Sequence, residues 1–225
     1  MKHGLIITID GPAGTGKSTV ARLLANKLGF SYLDTGALYR VITYQALKKS
    51  VSPKDRQSLK RLLKSLRIQF KDNRDQQKVF LNGRDVTKLI REPHITENVF
   101  HYAELPLVRQ AMLKIQRKLG ANGNIVAEGR DLGSVVFPRA DIKFYLDASA
   151  SERARRRWKE LKNKGIKMRC QNVLSEIKSR DKRDRNRAIA PLMKVRDAVR
   201  IDTTNLSIKE VVQKLSEIVI KHNKK

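Results

Sequence analysis

Gly11-Pro12-Ala13-Gly14-Thr15-Gly16-Lys17-Ser18 fits the pattern G-x-x-x-x-G-K-[ST] at every position. Its glycines let the backbone curl so that the N–H groups turn inward toward phosphate oxygens. A helix opening at the end of the loop adds its positive N-terminal end. Lys17 can then reach the β- and γ-phosphates of a nucleoside triphosphate, and the Ser18 hydroxyl can ligate Mg²⁺. Average residue usage would produce this pattern in on the order of one per cent of chains this long. The context fits as well. Leu5-Ile6-Ile7-Thr8-Ile9 is a short β-rich run before the loop. After it, Val20, Leu23, Leu24 and Leu28 recur at helical spacing up to Gly29, which stands where a C-terminal cap would.

Working outward, strands alternate with helices, the signature of a parallel sheet covered by helices. Ser31-Tyr32-Leu33 reads as a second strand and Ala37 to Lys48 as a helix. Between about 51 and 103 the rhythm breaks. Ser52-Pro53 and Asp55 open a helix with Leu59, Leu62, Leu63 and Leu66 on one face. Ile68-Gln69-Phe70 and Val79-Phe80-Leu81 look like strands, and Asn82-Gly83 is a hairpin turn leading into Arg84-Asp85-Val86. Local antiparallel strands inside an α/β chain predict an inserted subdomain. The core rhythm resumes with the stripe Leu105, Val108, Met112, Ile115 and Leu119, then strands at Asn124 to Ala127 and Ile142 to Leu146. Two basic helical stretches follow, near Ser151 to Lys162 and Cys170 to Arg187. Val199-Arg200-Ile201 is a last strand, and Ser207 with Glu210 forms a capping box for a final helix, with Leu206 and Val211 as its hydrophobic staple.

Composition sets the class. A chain of 225 residues with 40% apolar content can build one packed α/β core with an insertion. The first apolar run is too short for a signal peptide or membrane span, so no membrane association is expected. A single cysteine, Cys170, fits a reducing cytoplasm. Forty-nine Lys and Arg against 22 Asp and Glu give a net charge of +27, which attracts polyanions and makes binding salt-sensitive. Most of the lysines, as at Lys221 to Lys225, read as solvated surface. Particular arginines carry function instead.

Three further constellations sit at strand ends, where ligands collect in such sheets. Asp34-Thr35-Gly36-Ala37-Leu38-Tyr39-Arg40 offers a hydroxyl and a guanidinium fork suited to a second phosphate. Glu128-Gly129-Arg130-Asp131 brings two carboxylates and a guanidinium to the same predicted edge. In Arg180-Asp181-Lys182-Arg183-Asp184-Arg185-Asn186-Arg187, helical spacing puts Arg180, Asp184 and Arg187 on one face.

Together these segments resemble the bacterial cytidylate kinases, a branch of the nucleoside monophosphate kinases. The likeness runs from Ile9-Asp10-Gly11-Pro12-Ala13-Gly14 through Leu33 to Arg40, Pro106 to Arg109, Glu128 to Pro138, Leu146 to Ala150 and Arg180 to Pro191. It implies ATP and Mg²⁺ as phosphoryl donor and metal, with CMP or dCMP as acceptor. Gly11 through Thr19, including Pro12, Ala13, Gly14, Thr15, Gly16, Lys17 and Ser18, would hold the donor. Ser18 would ligate Mg²⁺, with Glu128 acting through a water. Arg40 and Arg130 would take the acceptor phosphate, Thr35, Arg109, Asp131 and Arg187 the cytosine, and Arg180 and Asp184 the ribose region. Lys17, Arg130, Arg157 and Arg180 would stabilise transfer. The implied architecture is a doubly wound core over about 1–50, 104–150 and 188–225, with a nucleotide-binding insertion at about 51–103. A lid at about 151–187 would carry Arg153, Arg156 and Arg157 and continue through Lys164, Gly165 and Arg169.

Three departures stand out. Phe100 in Val99-Phe100-His101-Tyr102-Ala103 occupies a usual serine position, Glu128 replaces a frequent Asp, and Thr35 replaces a frequent Ser. Other small-molecule P-loop kinases fit the Arg180 to Arg187 stretch and the insertion less well. An RNA-binding role, suggested by the charge, lacks aromatic stacking residues and any RNA-module signature. A monomer without a dedicated nucleic-acid partner is expected.

Overall fold

A computed structural model describes residues 4–71, 77–163 and 165–223. In chain order the elements are β1 (Ile6–Asp10), α1 (Lys17–Leu28), β2 (Ser31–Asp34), α2 (Thr35–Lys48), α3 (Arg56–Ser65), β3 (Ile68–Lys71), β4 (Lys78–Leu81) and β5 (Arg84–Asp85). They continue with α4 (Pro93–Ala103), α5 (Pro106–Gly120), β6 (Ile125–Glu128), β7 (Ile142–Asp147), α6 (Ala150–Asn163), α7 (Cys170–Asn186), β8 (Val199–Asp202) and α8 (Ile208–Asn223). Two compact units share them: Met1–Phe30 with Gly123–Lys225, and Ser31–Asn122.

In the first unit, parallel strands run in the order β6-β1-β7-β8. Ile7, Thr8 and Ile9 of β1 are all fully buried, as is the whole of β6, so these strands are covered on both faces. That explains why they read as continuous apolar runs. Because the strands are parallel, the loops after β1, β6, β7 and β8 all leave from one edge. Helix α1 ends in a Schellman motif: Gly29 has φ 69°, its N–H donates to Asn26 O at 3.3 Å, and Phe30 N–H donates to Ala25 O at 2.9 Å. Helix α8 packs on α1 through Val211, Val212, Leu215 and Val219. The capping box forms: Ser207 N–H donates to Glu210 Oε2 at 2.8 Å, and Glu210 N–H to Ser207 Oγ at 3.3 Å.

Helices α6 and α7 pair around Ala154, Leu161, Val173 and Ile177, with Trp158 packed against them. Trp158 Nε1 donates to Met168 O at 2.9 Å, and Lys162 lies 5.3 Å from its ring centre. The Lys164 position of the expected lid lies outside the described residues.

In the second unit, α2 packs on α4 and α3 on α5 around Leu38, Ile42, Leu59, Leu62, Tyr102, Val108 and Met112. The antiparallel sheet β3-β4-β5 has Ile68 opposite Leu81 and Leu81 opposite Arg84. Asn82 at φ 49° and Gly83 at φ 82° make the left-handed two-residue turn that Asn-Gly announces.

Some expectations shift. Helix α2 starts at Thr35 rather than Ala37, because the Asp34 carboxylate caps it by accepting from Ala37 N–H at 2.9 Å. Helix α4 is absent from the sequence reading. Its β-branched and aromatic residues are indifferent helix formers, and packing against α2 decides the matter. Tyr102 anchors it by donating to Val51 O at 2.9 Å. Leu119, placed in the apolar stripe of α5, is instead exposed in the last turn of that helix.

Candidate active site

The loop between β1 and α1 is shaped by its glycines. At Gly11 a side-chain Cβ would stand 2.0 Å from Leu146 O, so only glycine passes β7 here. Gly14 and Gly16 take left-handed φ values of 79° and 88°. Lys17 is buried and folds back across the loop, donating from Nζ to Pro12 O at 2.6 Å and to Thr15 Oγ1 at 3.4 Å. Burial, with Arg130 beside it, holds this ammonium well below the usual lysine range. The loop thus closes around its own cation. The Ser18 hydroxyl donates to Glu128 Oε1 at 2.7 Å, linking the loop to the end of β6.

The segment after β6 gathers charge. Arg130 donates from Nε to Asp184 Oδ2 at 2.9 Å and from Nη1 to Gly129 O at 3.2 Å. Burial alone would lower the Arg130 pKa, but Asp184 outweighs it and raises it above the ordinary value. Burial alone would likewise raise Asp184, yet Arg130, Arg180 and Arg187 hold it below the usual carboxylate range. Asp131 Oδ1 lies 3.2 Å from Arg187 Nη2, both side chains being buried. Arg187 is not on the helical face expected for it: it caps α7 in extended conformation at ψ 140°. From there its Nε donates to the carbonyl of Ala190. Arg180 lies near enough to act electrostatically on both Lys17 and Asp184.

Two arginines expected in the lid are engaged with the body of this unit. Arg153 is buried and donates to Ala148 O at 2.9 Å and to the loop carbonyl Ala13 O at 3.0 Å, while pairing with Asp181 at 2.7 Å. Arg156 donates to Glu152 at 2.9 Å and to Thr203 Oγ1 at 3.1 Å. Hydrogen bonds from Arg155, and then from Arg156, hold the Glu152 carboxyl down at about 2. Arg157 pairs with Glu160 at 2.9 Å, both side chains exposed.

In the second unit, Arg40 Nη2 donates to Asp34 Oδ2 at 2.7 Å, and Arg91 Nη2 stands 3.7 Å from the same oxygen. The Nε of Arg40 is buried with no hydrogen-bond partner. Thr35 is buried as the first residue of α2. Arg109, buried, donates to Ala103 O at 3.4 Å and lies 5.7 Å from the Tyr39 ring centre. Phe100, at the usual serine position, is partly exposed on α4 with its ring 3.8 Å from that of His101.

A family model described as cytidylate kinase matches residues 7–221. A cytidylate kinase from Carboxydothermus hydrogenoformans is 51% identical, with 96% of this chain and 98% of the relative covered. Those of Ligilactobacillus salivarius and Pasteurella multocida are 47% and 45% identical, each over 99% of this chain and at least 98% of their own. The chain belongs to the cytidylate kinase family.

In this cytidylate kinase family member the residues suited to Mg²⁺ are few. Magnesium keeps most of its waters and needs only one or two protein oxygens beside substrate phosphates. The Ser18 hydroxyl already hydrogen-bonded to the Glu128 carboxylate fits that requirement. No group of three or more His, Cys, Asp or Glu among the described residues could form an all-protein metal cage. No helix among them is long and apolar enough to cross a membrane.

Sequence reasoning missed Asp10. Its buried carboxylate accepts from the backbone N–H of Leu132 at 3.0 Å and of Gly133 at 2.8 Å. Burial pushes its carboxyl up to about 6, against the lowering effect of those two bonds. A charged residue ending a fully buried strand is the one signal that marks it. The Asp181 partner of Arg153 was missed too, because nothing along the chain ties the two positions together.

Proposed function

We propose that the chain transfers the γ-phosphoryl group of ATP to CMP or dCMP, giving ADP and CDP or dCDP. The observation that carries this reading is the Asp131–Arg187 pair in the same unit as a complete phosphate loop, in a chain of the cytidylate kinase family. Cytosine presents an amino donor at N4 and acceptors at N3 and O2. A carboxylate accepts from the first, and guanidinium groups donate to the others. Asp131, Arg187, Arg109 and Thr35 are the residues we assign to the base. Arg40 and Arg130 are assigned to the acceptor phosphate, and Arg180 and Asp184 to the ribose region. The unpartnered Nε of Arg40 is a donor suited to a phosphate oxygen.

An acceptor phosphate oxygen attacks the γ-phosphorus in line as the bond to the ADP oxygen breaks. The protein's part is positioning and neutralisation of charge, for which we nominate Lys17, Arg130, Arg157 and Arg180, without a general base. Gly11 to Thr19 would hold ATP. Mg²⁺, held by Ser18 and through water by Glu128, would neutralise charge on the phosphates. The stretch 51–103 is assigned as the acceptor-binding subdomain and 151–187 as the lid that excludes water. The enzyme is proposed to be a cytoplasmic monomer, its +27 charge drawing polyanions without a dedicated nucleic-acid partner.

Uracil places a donor and an acceptor opposite to those of cytosine, so an unpaired polar group in the closed site should reject it. An ADP-release assay with ATP, Mg²⁺ and each nucleoside monophosphate tests this. CMP and dCMP should be phosphorylated and UMP poorly used. Equal turnover of CMP and UMP would overturn the assignment of Asp131 and Arg109.

A further inference from the structure

Asp10 ends β1 and immediately precedes Gly11, and although Lys17 of the loop acts on its charge, its side-chain hydrogen bonds go elsewhere. It reaches a segment more than 120 residues away, closing on the N–H groups of Leu132 and Gly133 at 3.0 and 2.8 Å. Those residues open a short π-helical turn, Leu132–Val136, that starts directly after Asp131. Within the turn, Val135 and Val136 N–H both donate to Asp131 O, at 2.9 and 3.2 Å. The first N–H groups of any such turn lack partners inside it, and Asp10 supplies them. Gly133 lies directly beside the carboxylate, where a Cβ would stand in ordinary contact 3.4 Å from Asp10 Oδ2. The backbone of Asp131 is therefore gripped just beyond its own carbonyl, while its carboxylate meets Arg187 at 3.2 Å.

We infer that Asp10 is a positioning residue whose carboxylate, by clamping Leu132 and Gly133, sets the orientation of Asp131 and with it the choice of acceptor base. The inference rests on the assignment of Asp131 to the base. It adds that base choice depends on a residue that does not itself touch the nucleotide. A purely architectural Asp10 would affect stability and leave the ranking of nucleotides alone. A clamp affects the ranking. In Asp10→Asn the carboxylate oxygen facing one N–H becomes an amide donor, so one bond of the pair is lost with little change of volume.

The test is steady-state kinetics of the full chain with CMP, UMP and ATP varied in turn, alongside thermal melts. Loss of one charge-assisted bond at a site that must hold the base predicts, for Asp10→Asn, a rise of about tenfold in KM for CMP. The CMP-to-UMP ratio of kcat/KM should fall by a similar factor while KM for ATP stays within about twofold. Asp10→Glu keeps the charge but displaces the carboxylate by one methylene, and should move the ratio the same way, less far; it decides the matter if Asp10→Asn fails to fold. An unchanged CMP-to-UMP ratio in a folded variant would overturn the inference, as would KM values for CMP and ATP rising together. Wild-type enzyme that does not distinguish CMP from UMP would remove the assignment of Asp131 itself, and this inference with it.

Discussion

The two units hold their arginines by different means. In the first, Arg130, Arg153 and Arg187 each face a buried or half-buried aspartate: Asp184, Asp181 and Asp131. In the second, Arg40 leans on Asp34, a carboxylate already committed to capping α2, and Arg109 rests beside a carbonyl and the Tyr39 ring. A buried ion pair costs desolvation to form, but removing one partner leaves a bare charge with no water to receive it. Asp34 is buried as well, but it is tied to its own helix through Ala37 N–H, and its partner Arg40 keeps 22% of its side chain exposed. Geometry in the first unit is thus fixed by interdependent charges. In the second it is fixed at short range, by a buried helix-capping carboxylate and an arginine six positions further along the chain.

The largest effect should come from Lys17, the one cation of the phosphate loop. Lys17→Met should lower kcat/KM by at least about a thousandfold, by analogy with the loss of a preorganised charge at a transferring phosphate. Its circular dichroism should stay native, and retained turnover would contradict the role. Next comes the buried brace. Arg153→Ala leaves Asp181 without its cation and should cost about 3–5 kcal/mol in a urea melt. It should also raise KM for ATP, because Ala13 O loses its donor.

Smaller again is Asp34→Asn. An asparagine still caps a helix, so what is lost is the buried charge that holds Arg40 and draws Arg91, and stability should drop by about 1.5–3 kcal/mol. A loss as large as that of Arg153→Ala would break the contrast between the units. A further effect is in pH dependence. Glu152, held down at about 2 by Arg155 and Arg156, contributes stability present above about 4.5 and lost as pH falls through 2. Asp10, raised to about 6, has the opposite sign: its ionisation opposes folding, so stability rises as pH falls from 6 toward 3.8. Relative to Asp10→Asn, the wild-type chain should therefore gain stability between pH 7 and pH 4, measured as denaturation midpoints. A flat difference across that range would contradict it.

What could be read in the sequence was what depends on neighbours along the chain. Asn82-Gly83 set a hairpin register, Gly29 ended a helix, and Ser207 with Glu210 began one. Each is a contest settled within a few residues. Helix α4 was not legible, because its propensities are weak and its stability comes from packing on α2. Nor were the long-range grips legible: Asp10 on Leu132, Arg153 on Ala13 and Asp181, and the Arg187 carried past the end of α7. In each case a charged side chain finds a partner brought close only by the folding of distant segments onto one another, and a linear pattern carries no record of that distance.

The indole of Trp158 is the only one in the chain, and it donates to the carbonyl of Met168 on the far side of the α6–α7 turn. That gives the protein a built-in optical gauge. Its fluorescence can report, without any label, whether the contact survives when nucleotide is added. Stopped-flow emission could then time that event separately from the phosphoryl transfer itself.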